Sequence, residues 1–442
     1  MAAVVAGATL VVAAFVIPTL HLGTVTPLRQ RGERAGVADA APIFGWWDAH
    51  IGWGTMPAIA IGAFGVAWAP AQARRLPWRH LLVATWATSA AWAVSLALID
   101  GWRRGFVDRL ADPNEYLYQV PSITDIPAAL RSFVRRIPDF QGDSWVTHVA
   151  GHPPGALLTF VWLDRLGLGG GLPAGILVVF AGSSAAAAVV ITVRTVHDEV
   201  TARRAAPFLA LAPTAIWVAV SADGYFMAIA AWGIALLALS IRRSGRPGWV
   251  LAASSGLLLG WAVMLSYGLV LASLIALPVV LTAANRATAL RRAALAAATA
   301  VAVVGIFDLH GFWWVDGYHA VQQRYWQGIA HDRPIQYWSW ANLASIICAI
   351  GFGSVAGIGQ ALDASALRRR RGLNLLVVGS LAAIAVADVS LLSKAETERI
   401  WLPFALWMTA APALLPPRSQ RWWLAVNVIG ALLINHVIFT NW

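Results

Sequence analysis

The sequence predicts an all-α, polytopic membrane protein of about 13 spans, and three observations carry that reading. The 442 residues are 59% hydrophobic and only 12% charged, about half the charge of a soluble domain. Apolar runs of membrane length recur along the whole chain. The turns between them alternate between arginine-rich and acidic, the pattern that the positive-inside rule produces.

Runs of about 16–21 apolar residues place spans at 2–22, 52–70, 80–99, 171–193, 205–220, 223–241, 249–265, 268–284, 293–307, 341–360, 373–391, 401–416 and 423–440. The first run lacks a basic flank and reads as a retained span, not a cleaved signal. Arginine clusters follow several spans, at Arg74–Arg79, Arg194–Arg204, Arg242–Arg246, Arg286–Arg292, Arg368–Arg371 and Arg418–Arg421. All six lie on one side, the cytoplasmic one, only if the apolar stretch 146–167 does not cross. That stretch, VTHVAGHPPGALLTFVWLDRLG, has an apolar core of only 12–14 residues behind a proline pair. A juxtamembrane helix on the outer surface fits it better than a span, and the C-terminus then lies outside.

The other charges sort accordingly. Seventeen of the 21 acidic residues fall outside, from Glu33 through Glu398, and of ten histidines only His80 and His197 fall inside. An outward-facing polar cavity would need such an asymmetry; solvation of long external loops is the plainer alternative. The net charge of +11 follows from the cytoplasmic loops and does not call for nucleic acid. The single cysteine, Cys348, excludes an internal disulfide and a thiolate metal cluster. No phosphate-binding glycine loop is present, so no nucleotide site is expected. His148 and His152 lack a nearby acidic third ligand, so no metal is expected there; a divalent cation held by outer carboxylates stays open.

Four outer segments carry candidate chemistry. FGWWDAHIGWG sets Asp48 at a membrane edge among interfacial tryptophans. In the loop 100–145, DPNEYLY offers Asp112 and Glu115 either as a general base or as a capping pair, with Asp112 as N-cap and Glu115 at the third helical position. The segment 307–340 mixes aromatic faces with Arg324, Tyr325 and Arg333, groups that stack on sugar rings and bind phosphate. LSKAETERIWLPF crowds Lys394, Glu396, Glu398 and Arg399 into one turn, and Lys394 is the only lysine among 32 basic residues. SADGYFM adds Asp223 at a span start, where a carboxylate also suits a helix N-terminus.

GHPPGALLTFVWLDRLG resembles the HPPL-type juxtamembrane segment of the GT-C membrane glycosyltransferases, which include protein O-mannosyltransferases and aminoarabinose transferases. SADGYFM resembles the acidic outer turn of the same family, and the order of span, acidic outer loop, HPP helix, span, basic loop, span and acidic turn matches over residues 80–300. The resemblance, to an actinobacterial-type member, implies an inverting transfer of a sugar from a polyprenyl-phosphate donor to an extracytoplasmic acceptor, at the outer face of a bacterial plasma membrane and without an organic cofactor. It implies a carboxylate base in the first long outer loop, where Glu115 and Asp112 compete with Asp48. It implies cations for the departing phosphate, drawn from His152, Arg324, Arg333, Lys394 and Arg399, with Asp223, Tyr325 and Glu398 as further substrate contacts. The acidic pair departs from the family pattern, because Pro113 and Asn114 separate its members. Two spans also precede the matching module, so the chain divides into an extension 1–79, a catalytic module 80–300 and C-terminal spans 301–442. A transporter or flippase of lipid-linked sugars, and a non-catalytic envelope-assembly protein, are the competing readings.

Overall fold

The computed structural model describes residues 1–20 and 39–440. Residues 21 and 22 of the first expected span, and Glu33, lie outside the described residues. The long helices are α1 (Ala2–Val16), α2 (Thr55–Arg75), α3 (Trp78–Ala97), α4 (Pro154–Arg165), α5 (Gly171–Val196), α6 (Glu199–Ala210), α7 (Ala222–Arg242), α8 (Gly245–Leu265), α9 (Ala272–Leu281), α10 (Arg286–Leu309), α11 (Trp314–Gln327), α12 (Ile335–Ile350), α13 (Phe352–Ala361), α14 (Gly372–Val389), α15 (Leu402–Met408) and α16 (Pro417–Val437). One antiparallel pair of short strands joins β1 (Gly45–Trp47) to β2 (Ile438–Thr440), with Trp46 opposite Phe439. The chain is a multi-pass membrane protein. Among the described residues, eight helices are long and apolar enough to cross a bilayer, or nine with the bent pair α12–α13 taken as one span.

The remaining expected spans are helical but shorter or less apolar, and prolines explain most of the breaks. The segment 205–220 forms α6, a turn, and a short helix Ala215–Val218; Pro213 in the turn has no N–H to continue α6. The segment 401–416 is α15 followed by a 3-10 turn with Pro412 at its start. The expected single span 341–360 bends by 105° between α12 and α13. At that bend Gly351 adopts φ +78°, and the Asn427 side chain accepts the Gly353 N–H at 2.7 Å. Elsewhere small residues let helices approach closely. A Cβ on Gly256 would sit 2.2 Å from the Ala296 carbonyl oxygen, which brings α8 against α10.

The polypeptide alternates between two ends. At one, Arg203 donates to the carbonyls of Ala73 and Leu76, Arg194 lies over Trp78, and the Leu373 N–H bonds His197. The arginine-bearing turns gather there. At the other, the loop end, α3 delivers the long loop 98–170.

The stretch 146–167 does not cross. Its helix α4 has 12 residues, about 18 Å at about 1.5 Å per residue, against about 30 Å of hydrocarbon. Both ends of the stretch are tied to the same loop. The His148 N–H donates to the Asn114 carbonyl, and Arg165 donates to the carbonyls of Ile123 and Thr124. Between them, Phe160 stacks on Tyr116, and Gly155 lies so close to α8 that a Cβ would be 2.5 Å from the Met264 carbonyl oxygen.

Candidate active site

The loop end gathers a buried polar cluster from five separate parts of the chain. Glu115 stands at the N-cap position of the short helix Tyr116–Gln119 on an extended backbone, with no capping bond from its side chain. Its carboxylate lies 2.7 Å from His148 Nδ1 and is nearly sealed, the residue being 2% exposed. Asp112 plays a different part from Glu115. It is exposed, and one of its oxygens accepts the Asn114 N–H at 2.8 Å and the Asn114 side-chain amide at 3.1 Å. The expected capping pair is therefore shifted: Glu115 occupies the cap position, and Asp112 closes the turn before it.

The proline pair 153–154 starts α4 and aims the preceding histidines at this loop. His152 Nδ1 is 2.9 Å from the Tyr116 hydroxyl and 2.8 Å from the His148 carbonyl. A carbonyl can only accept, so Nδ1 carries the proton and Nε2 is the bare nitrogen of the neutral ring. Burial holds the His152 pKa below its ordinary value, against the pull of Asp223. Burial likewise keeps the Tyr116 phenol protonated.

Asp223 stands in the first turn of α7, whose N-cap Ser221 takes the Gly224 N–H. Its carboxylate is 3.0 Å from Arg399 Nη1. Arg399 Nη2 is 3.2 Å from one oxygen of Glu396, and the other Glu396 oxygen is 3.1 Å from Arg333 Nη2. The result is a chain of alternating charges, Asp223–Arg399–Glu396–Arg333, buried at the head of the bundle. Burial opposes ionisation of Glu396, but Arg333, Arg399 and His148 outweigh it and hold the carboxyl below the usual range. Burial also works against the Arg399 charge, and Asp223 and Glu396 more than restore it.

Four expected residues surround this cluster in supporting positions, and a fifth, Asp48, stands apart from it beside Arg104. Lys394 Nζ donates to the Arg333 carbonyl at 2.7 Å and lies over the Trp326 ring; Arg333 returns a 2.7 Å bond to the Lys394 carbonyl. Tyr325 accepts the Lys394 N–H at 2.8 Å, and burial pushes its phenol up to about 12. Arg324 pairs with Asp139 at 2.6 Å and fastens α11 to the long loop. Glu398 is fully buried, accepting the Phe44 N–H at 2.8 Å and the Ser345 hydroxyl at 2.5 Å; burial drives it towards the neutral acid. Asp48 is exposed beyond β1, and its backbone N–H donates to the Val437 carbonyl.

Three residues that the sequence places at this end without a role of their own are brought into contact here. His148 joins Glu115, and its i, i+4 spacing from His152 was the available signal. Glu396 bridges the arginines, within a segment already suspected. Asp100 heads a second cluster at the end of α3, with His50 Nε2 at 3.0 Å, Arg109 at 3.0 Å and Arg104 at 3.6 Å. Arg104 also lies over the Phe439 ring of β2, and burial, reinforced by Arg109, lowers it to about 10. Among the described residues no three His, Cys, Asp or Glu side chains converge as a metal-binding group.

This membrane bundle, with a short helix packed beside the long loop 98–170, shares its fold with solved structures. The chain superimposes on the oligosaccharyltransferase of Archaeoglobus fulgidus in its apo form, with a TM-score of 0.51 and 14% identity over 77% of this chain and 50% of that one. It superimposes on the same enzyme in complex with zinc and sulfate, at 0.52 and 14% over 81% and 53%. With an acceptor peptide tethered to that enzyme the values are 0.52 and 15% over 78% and 50%. The chain thus spans about half the length of the structures it matches. No family model matches the sequence, and no curated protein does.

Proposed function

We propose that this protein is an inverting glycosyltransferase of GT-C type, moving a sugar from a polyprenyl-phosphate donor to an extracytoplasmic acceptor of the cell envelope. The observation that carries the reading is the buried Glu115–His148 pair set beside the Asp223–Arg399–Glu396–Arg333 chain. It offers a carboxylate to take a proton and guanidiniums to receive a phosphate, at one end of a membrane bundle. The arginine-bearing turns at the opposite end support, by the positive-inside rule, a site at the outer face, and the membrane proposed is a bacterial plasma membrane. The fold shared with an oligosaccharyltransferase supports this class of chemistry.

In the proposed reaction an acceptor hydroxyl oxygen attacks the anomeric carbon as the bond from that carbon to the donor's phosphate oxygen breaks. The hydroxyl proton passes to Glu115, the electron pair of the broken bond leaves on the polyprenyl phosphate, and the anomeric centre inverts. Glu115 suits the base role better than Asp112 or Asp48. It is buried, and its Oε1 lies 2.7 Å from His148 Nδ1, whereas Asp112 and Asp48 are exposed. Arg399 and Arg333 stabilise the developing phosphate charge. His152 and Asp223 orient the sugar, and Lys394, Tyr325, Arg324 and Glu398 hold the arginine-bearing turn in place. The site takes Glu115, His152 and Asp223 from the expected module 80–300, and Arg333, Glu396 and Arg399 from 301–442.

The flippase reading draws on the broken path between α6 and α7. Against it, the cluster of charged groups sits at one end of the bundle, not at mid-depth. Purified protein in nanodiscs, given polyprenyl-phosphate sugars and an envelope-glycan acceptor with and without a divalent cation, tests the proposal. The parent is expected to consume donor, and Glu115→Gln to lose about 100-fold or more in turnover. An inactive parent that moves labelled lipid between leaflets would replace the enzyme reading with the flippase one.

A further inference from the structure

The turn that carries Glu396 is built under strain. Leu391, Ala395 and Glu396 all adopt left-handed backbone, with φ of 60°, 69° and 61°, and none is glycine. That backbone sets one carboxylate between two guanidiniums, 3.1 Å from Arg333 Nη2 and 3.2 Å from Arg399 Nη2. Both arginine side chains are 6% exposed. Two carboxylate oxygens between two guanidinium forks reproduce what two oxygens of a phosphate would present there. Burial alone does not demand this arrangement. Glu398, two residues on, is buried by a hydroxyl and an amide and is driven towards neutrality instead.

The charges at the seat are balanced before any ligand arrives. Arg333 and Arg399 bring two positive charges and Asp223 and Glu396 two negative ones, paired at 3.0–3.2 Å, and buried Lys394 and Glu115 add one charge of each sign beside them. Lys394 is directed at the Arg333 carbonyl and the Trp326 ring. In a poorly screened site, each further anionic charge meets repulsion from both carboxylates. We propose that Glu396 is the specificity-determining residue of this seat: it limits the anionic charge that the arginine pair accepts, so that a lipid bearing one phosphate is taken and a lipid bearing two is rejected. The inference rests on the lipid-phosphate reading of the site.

The test is a titration of the purified protein in nanodiscs with polyprenyl monophosphate and polyprenyl diphosphate of equal chain length. The parent is expected to bind the monophosphate about tenfold or more tightly. Glu396→Gln is expected to shrink that ratio about fivefold or more, by tightening the diphosphate, as removal of one charge at such distances requires. Glu396→Asp, which keeps the charge, is expected to keep the preference. A merely structural Glu396 would weaken both lipids alike and leave the ratio unchanged, which overturns the proposal. Equal binding by the parent overturns it without any variant. Binding of neither lipid overturns the donor reading as well.

Discussion

Arg399→Met tests whether the buried charge chain holds the head of the bundle together. Methionine keeps much of the aliphatic volume and removes the guanidinium. In the folded protein that guanidinium is 3.0 Å from Asp223 and 3.2 Å from Glu396. Its loss leaves Glu396 with Arg333, but strips Asp223, 8% exposed, of its ion-pair partner. Leaving a buried charge uncompensated costs about 3–5 kcal/mol. Asp223→Asn made alone leaves Arg399 with Glu396 and gives up a favourable helix N-terminus charge, about 1–2 kcal/mol together. The double variant has no stranded carboxylate at 223, so it is expected to recover about 2–3 kcal/mol relative to the sum of the singles. Reversible unfolding in mixed micelles supplies the four free energies. Strictly additive losses, or an Arg399→Met cost below about 1 kcal/mol, would show that the chain is screened by water and would refute the buried-network argument.

Four further outcomes follow from the same geometry. Gly155→Ala places a Cβ against the Met264 carbonyl oxygen, so α4 must lift from α8, at about 1–3 kcal/mol in thermal unfolding and with weaker donor binding. Glu398→Gln keeps an acceptor for the Phe44 N–H and offers a donor to Ser345; it is expected to stay within about 1 kcal/mol of the parent, whereas Glu398→Ala loses about 2–3 kcal/mol. His152 and His197 both have pKa values lowered by burial from 6.5. The unfolded chain therefore binds protons that the folded one refuses, and stability falls as pH drops below about 6.5. Unfolding at about pH 5 and about pH 7.5 should show that slope, and His152→Gln with His197→Gln should flatten it. Single cysteines at positions 165 and 370, in a Cys348→Ala background, should react with impermeant reagent from opposite sides of the membrane; labelling from one side would contradict the threading.

Much of the architecture was legible because charge and length constrain a membrane chain tightly. The arginine turns and the short core of 146–167 placed that stretch at one end before any contact was known, and the loop bonds of His148 and Arg165 agree. The breaks at Pro213, Gly351 and Pro412 were less legible, since apolar content continues across them and only backbone chemistry records the interruption. The site was legible in part. Glu115, His152, Asp223, Arg333 and Arg399 were chosen for charge and location, and they meet. For Glu396 only the Arg399 contact is local; Arg333, and the Glu115 partner of His148, lie tens of residues away, at distances that sequence spacing does not encode. Asp112 illustrates the opposite case, because its local bond to Asn114 competes for the same carboxylate that a base would need.

Sugar transfer by the parent and by Glu115→Gln, compared at equal folded concentration with one polyprenyl-phosphate donor, decides whether Glu115 is the base. Donor consumption and an inverted product are expected from the parent, with turnover falling about 100-fold or more in the variant while donor binding is retained. Undiminished turnover in Glu115→Gln, with loss instead in Asp100→Asn, would move the base to the Asp100 cluster and contradict the site assignment.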